Sequence, residues 1–131
     1  MPPILSSAAN PRIKQYRKLR ESASFRRKTG LCIVEGLRLC RDALQSGGVV
    51  EIFATPDFAQ RQPDFWEEAC AHSQAALIDP ALEKELSETQ SPQGVYGVVQ
   101  TEGLTRSLSE LTGERVLLLD RIADPGNMGT I

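Results

Sequence analysis

The residues best placed to do chemistry lie late in the chain, where the apolar run Val116-Leu117-Leu118-Leu119 leads into Asp120, Asp124, Pro125, Gly126, Asn127 and Gly129. Two carboxylates, a carboxamide and two glycines within ten positions form an acidic, glycine-rich loop behind an expected strand. Proteins of the α/β class place their ligands in loops of this kind, at the carboxyl ends of strands. The segment Asp124-Pro125-Gly126-Asn127 also carries proline and glycine at the second and third positions of a type II turn, so a plain tight turn is the alternative. Spacing alone does not separate the two readings, because short glycine motifs are weak signals.

A second constellation is electrostatic. Between Arg12 and Lys28 stand eight basic residues, Arg12, Lys14, Arg17, Lys18, Arg20, Arg26, Arg27 and Lys28, against the single acid Glu21. Elsewhere seven basic residues face sixteen acids, so the net charge of −2 conceals a local positive device. A partner bearing phosphates is the natural inference, with a solvated helix face as the alternative. Lysine and arginine contacts to phosphates supply affinity and orientation, whereas base recognition needs further groups. Tyr16 and Phe25 could stack on unpaired bases, although their helical spacing also suits core packing.

Other chemistries find little support. Cys32, Cys40 and Cys70 are odd in number and widely spaced, which fits neither a disulfide framework nor a zinc-ligand motif. No metal site is expected, and the thiols read as reduced and mostly buried. His72, the one histidine, lies beside Cys70, but Cys-His nucleophile pairs are normally assembled in space and not by sequence proximity.

The elements that must position these residues follow from punctuation and periodicity. Asn10-Pro11 opens a helix to about Glu21, with Ile13, Tyr16 and Leu19 on its apolar side. A short basic helix around Phe25 to Lys28 ends at Gly30. Strand Leu31–Val34 precedes a helix over Leu37–Gln45, which presents Leu37, Cys40 and Leu44 on one face and stops at Gly47-Gly48. Val49–Thr55 is a strand, Asp64 caps a helix starting at Phe65 and Trp66, Ala75–Ile78 is a strand, and Pro80 opens a charged helix to about Glu88. Val95–Val99 and Val116–Leu119 are the last strands. Because parallel neighbours need crossover connections, this alternation predicts an α/β/α sandwich to about Gln100.

At 131 residues, 40% hydrophobic and 24% charged, the chain suits one globular domain with a small extension. Residues 1–100 form the expected domain, 101–114 a polar connector with a short helical turn, and 115–131 the start of a new unit. No apolar run approaches the roughly 20 residues that cross a bilayer, and the first residues lack the pattern of a secretory signal. No membrane partner and a cytoplasmic location are expected.

Taken in order, the motifs resemble the SpoU (TrmH-type) branch of the SPOUT RNA methyltransferases. Asp120, Asp124, Pro125, Gly126, Asn127 and Gly129 match its first signature. The resemblance extends upstream to Asn10-Pro11-Arg12-Ile13-Lys14, to Val34-Glu35-Gly36-Leu37-Arg38 and to Ser91-Pro92-Gln93-Gly94. It implies a leading three-layer α/β/α domain similar to a ribosomal protein fold that binds kinked RNA. The first strand of an α/β-knot domain, truncated in this chain, would follow. It further implies a full-length enzyme that uses S-adenosylmethionine to methylate a ribose 2′-hydroxyl of structured ribosomal or transfer RNA, and that dimerises through the knotted domain.

Carried over by position, Asn127 belongs to the catalytic face. The partner arginine and the later two motifs, which build the donor pocket, do not occur in these residues. A 2′-hydroxyl is a poor nucleophile that needs alignment and help in losing its proton. The 131-residue chain alone is therefore expected to bind RNA but no methyl donor, and to be inactive. Glu35 and Arg38 are assigned no catalytic role. The rival reading is a stand-alone, non-enzymatic RNA-binding module. A nucleotide-binding or assembly module is weaker, since no phosphate-cradling glycine loop follows the early strands.

Overall fold

A computed structural model describes residues 2–103 and 107–131. Five strands, β1 (Ile4–Leu5), β2 (Leu31–Glu35), β3 (Val49–Ala54), β4 (Gln74–Ile78) and β5 (Val95–Gln100), form one sheet in the order β1-β4-β3-β5-β2. The helices are α1 (Pro11–Glu21), α2 (Ala23–Thr29), α3 (Leu37–Ser46), α4 (Pro56–Arg61), α5 (Pro63–His72), α6 (Glu83–Leu86) and α7 (Pro125–Thr130). Single 3-10 turns occupy Pro80–Leu82 and Leu108–Glu110.

Helices cover both faces of the sheet, as the alternation predicts. On one face Ile13, Tyr16 and Leu19 of α1 and Leu86 of α6 meet Phe53, Ala76, Ile78, Tyr96 and Val98. On the other, Cys40 and Leu44 of α3, Phe58 of α4, and Phe65 and Ala69 of α5 meet Ile52, Ala54 and Val95. Successive residues Ile52, Phe53 and Ala54 divide between the two cores, which is the period-two alternation of a strand buried on both sides. Burying side chains such as Ile13 and Leu19 contributes about 1.5–3 kcal/mol each.

The sheet is not the all-parallel one that crossover helices suggest. β4 runs parallel to β1 and β3, but β5 inserts antiparallel between β3 and β2. β2 and β3 consequently point the same way, and the carboxyl ends of β1 to β4 share one edge of the sheet with the start of β5. Gly97 in β5 sits where a Cβ would lie 2.8 Å from Val34 Cγ2 and 3.3 Å from Ile52 Cδ1, so only glycine lets the sheet close beneath α3.

Several expectations need correction. Val116–Leu119 is not a strand: these residues are extended but unpaired, and Leu118 is 84% exposed. A strand needs a neighbour for its backbone groups, and this segment pairs with neither edge strand, β1 or β2, of the sheet. Asp124-Pro125-Gly126-Asn127 is not a type II turn but the start of α7, with Asp124 Oδ1 accepting from the Gly126 N–H at 2.7 Å. Strand β1 and helix α4 escaped the sequence reading. Thr55 ends β3 early because its side chain caps α4. α5 begins at Pro63, with Asp64 inside its first turn rather than capping it. The charged helix after Pro80 stops at Leu86. In the expected connector, residues 104–106 lie outside the described residues. Among the described residues, no helix is long and apolar enough to cross a membrane, and no group of three or more metal-binding side chains gathers.

Candidate nucleic-acid interface

The basic segment folds as an elbow. Asn10 Oδ1 accepts from the Arg12 N–H at 2.9 Å to start α1, and Pro11 fills a position whose N–H needs no partner. Ser22 ends α1 and caps α2, accepting from the Phe25 N–H at 3.2 Å, so the chain turns without losing its helical hydrogen bonds. Gly30, at φ 65°, closes α2 in the left-handed region.

The eight cations of this elbow do not share one role. Arg12 forms an ion pair with the buried Glu51, donates to the Gln74 carbonyl at 3.2 Å, and lies over the Phe53 ring at 5.3 Å. Burial raises the Glu51 carboxyl above its ordinary pKa, with the Arg12 hydrogen bond and charge pulling it back. Arg17 reaches Glu85 at 3.3 Å, and Arg20 donates to the Glu85 carbonyl at 3.0 Å and to Glu21 at 3.1 Å. Arg26 donates to the Leu19 and Arg20 carbonyls at 2.7 and 3.0 Å, satisfying the last turn of α1. Arg26 thus holds the two helices of the elbow together, and Arg12, Arg17 and Arg20 fasten it to the sheet and to α6.

Lys14, Lys18, Arg27 and Lys28 are exposed, and none has an ion-pair partner among the described residues. Lys14 and Lys18 stand one helical turn apart on α1. The Lys18 ammonium sits 4.4 Å from the centroid of the half-buried Phe25 ring, tying α1 to α2 by a cation–π contact. Tyr16 is unavailable for base stacking. It is fully buried, edge-on to Phe53 and Tyr96 at 6.0 Å each, and burial pushes its phenol far above the usual range.

Two of the three upstream motifs, Val34–Arg38 and Ser91–Gly94, converge at the shared carboxyl edge. Gly36, at φ 94°, carries the chain from β2 into α3, and the Leu37 N–H donates to Gln93 Oε1 at 2.9 Å. Gly94, at φ 85°, packs so closely that a Cβ would lie 2.6 Å from Thr55 Oγ1. Glu35 accepts from the Ser87 and Thr89 hydroxyls at 2.5 and 3.1 Å and from the Glu88 N–H at 3.2 Å, which pins the loop behind α6. That is a structural task.

Beside this edge an open depression of about 420 Å³ is lined by Leu37, Arg38, Arg41, Asp42 and Gln93. Of these, Arg41 carried no signal in the motifs, and Gln93 stood in one of them without an assigned role. The available signal was a pair of arginines three positions apart, off the apolar stripe of Leu37, Cys40 and Leu44.

The downstream motif stands apart. Asp120, Asp124, Pro125, Gly126, Asn127 and Gly129 are all exposed, and Asn127 lies in the first turn of α7. Among the described residues, no hydrogen bond or ion pair joins 107–131 to 2–103. The cysteines show no nucleophilic arrangement: burial pushes the Cys40 thiol up to about 12, Glu35 adding to the effect, and burial also raises Cys32 and Cys70.

Comparison with known proteins gives this geometry its context. The 23S rRNA (guanosine(2553)-2'-O)-methyltransferase RlmP of Bacillus subtilis is 31% identical over 129 residues, covering 97% of this chain and 48% of that protein. The chain thus spans about half the length of this curated relative. A crystal structure of an RNA 2'-O ribose methyltransferase superposes with a TM-score of 0.64 at 26% identity, over 83% of this chain and 41% of the other. The SpoU methyltransferase AviRb of Streptomyces viridochromogenes, solved with AdoMet, gives a TM-score of 0.60 at 23% identity, over 83% and 41%. The five-stranded α/β fold is the one these methyltransferase structures share, and the resemblance to the SpoU branch holds. Residues 10–97, from the cap of α1 into β5, match the family described as the MRM3-like substrate binding domain, and the chain belongs to that family.

Proposed function

We propose that this chain is the RNA-binding portion of an S-adenosylmethionine-dependent RNA ribose 2′-O-methyltransferase acting on ribosomal or transfer RNA. The ribosomal choice is supported by the relative's substrate. One observation carries the reading: the substrate-binding family match over residues 10–97 covers the folded sheet domain, and that domain displays four exposed cations on its α1–α2 elbow. Lys14, Lys18, Arg27 and Lys28 hold the RNA backbone, while Arg12, Arg17, Arg20 and Arg26 build the surface that carries them.

Residues 115–131 begin the methyltransferase domain in this proposal. Val116–Leu119 becomes a strand when the sheet of that domain lies beside it, and Asn127 then takes its place on the catalytic face. The donor supplies the methyl group. The residues present do not supply its pocket: among the described residues, three depressions are lined by residues between Leu37 and Gly94, and segment 115–131 lines none of these three. The role of this chain is therefore to bind and orient RNA. Dimerisation through a knotted domain and a cytoplasmic location complete the reading.

The test pairs filter binding of a ribosomal RNA hairpin with calorimetry against S-adenosylmethionine, both on the 131-residue chain. Salt-dependent RNA binding and no heat with the donor are expected. Absence of RNA binding overturns the substrate-domain reading, and a donor-binding isotherm overturns the account of where the donor sits.

A further inference from the structure

The basic elbow is not the only cationic feature beside the sheet edge. β2 is an edge strand whose five residues are all half-buried, and its two ends lead to different helices. Its amino end follows α2 directly through Gly30, which puts Arg27 and Lys28 at that end. Its carboxyl end passes through Gly36 into α3, which puts Arg38 and Arg41 at the other. Both arginines are exposed, both line the open depression, and neither has an ion-pair partner among the described residues.

The acids nearby do little to neutralise them. Glu35 is occupied by two hydroxyls and a backbone N–H, which leaves Asp42 as the one carboxylate lining the depression. Gln93 is fixed there by its bond to the Leu37 N–H, and its own NH2 group has no partner among the described residues. Two guanidiniums and an amide donor around an open, partly apolar hollow suit a phosphate-bearing chain, because a guanidinium can present two parallel N–H donors to one phosphate.

We propose that one RNA lies along the exposed edge of β2, gripped at the start of the strand by the elbow and at its end by Arg38 and Arg41. Four steps of about 3.3 Å from Leu31 to Glu35 separate the two ends by roughly 13 Å, so they contact different nucleotides of the same RNA. The inference rests on the RNA-binding reading above and adds to it a second contact surface and a direction for the RNA. It also gives Arg38, passed over as structural, a binding role.

The test is the salt dependence of hairpin RNA binding by Arg38→Gln/Arg41→Gln in the 131-residue chain, with thermal melting as a check on folding. Both side chains are exposed, so an unchanged Tm is expected. Removing two phosphate contacts lowers the magnitude of the log–log salt slope by about 2. A slope and affinity equal to wild type, alongside loss of binding in a Lys14, Lys18, Arg27 and Lys28 variant, overturns the second contact and leaves the substrate-domain reading intact. Failure of the wild-type chain to bind overturns both.

Discussion

Arg12 shows how a residue that looks like a ligand contact can be part of the scaffold. Its guanidinium compensates Glu51, whose carboxylate would otherwise be buried beneath α1 without a partner. Arg12→Gln is expected to destabilise the domain by roughly 2–4 kcal/mol, less than for a fully buried pair because Arg12 keeps some solvent contact. Adding Glu51→Gln should recover part of the loss, and chemical denaturation of the two variants measures both. At Gly94 the constraint is steric and conformational together. Gly94→Ala must hold φ near 85° and push Thr55 away, at a cost of roughly 1–3 kcal/mol in the same assay. The thiols divide by burial: a maleimide reagent at neutral pH should label the exposed Cys70 rapidly and spare Cys40 until the protein unfolds.

Among the elements, the ones best read from sequence are those with caps. Asn10-Pro11, Gly30 and Gly47 bound α1, α2 and α3 because each supplies a local hydrogen bond or a left-handed residue that does not depend on distant contacts. Asn10→Ala should accordingly cost about 1 kcal/mol, lowering Tm by roughly 4–8 °C. Elements set by partners were harder to read. β1 has two residues and exists because β4 offers it an edge, and the antiparallel place of β5 between β2 and β3 is a choice of topology that no local pattern encodes. Val116–Leu119 has the composition of a strand and lacks the neighbour. The basic segment was legible as charge but not as a division of labour. Whether an arginine meets a carboxylate or solvent depends on α6 and β3, both distant in sequence.

For the molecule as a whole, two regions of different character share one chain. Residues up to Gln100 contain both cores, whereas from residue 107 every described residue except Ile122 is exposed. Limited proteolysis is expected to remove residues 107–131 and to leave a domain with unchanged Tm and RNA affinity, because those residues have no hydrogen bond to 2–103 among the described residues. Two of the three upstream motifs meet at the Leu37–Gln93 hydrogen bond, so the order of these motifs in the sequence reflects one junction of the fold.

The central claim is that four exposed cations on the elbow contact RNA while their four neighbours hold the scaffold. The most direct measurement is RNA affinity over a salt series for wild type against Lys14→Gln/Lys18→Gln/Arg27→Gln/Lys28→Gln. A fall of roughly 3–4 in the magnitude of the salt slope, with Tm preserved, is the predicted result. Equal slopes and equal affinities would show that this charge is a solvated face, and would contradict the account.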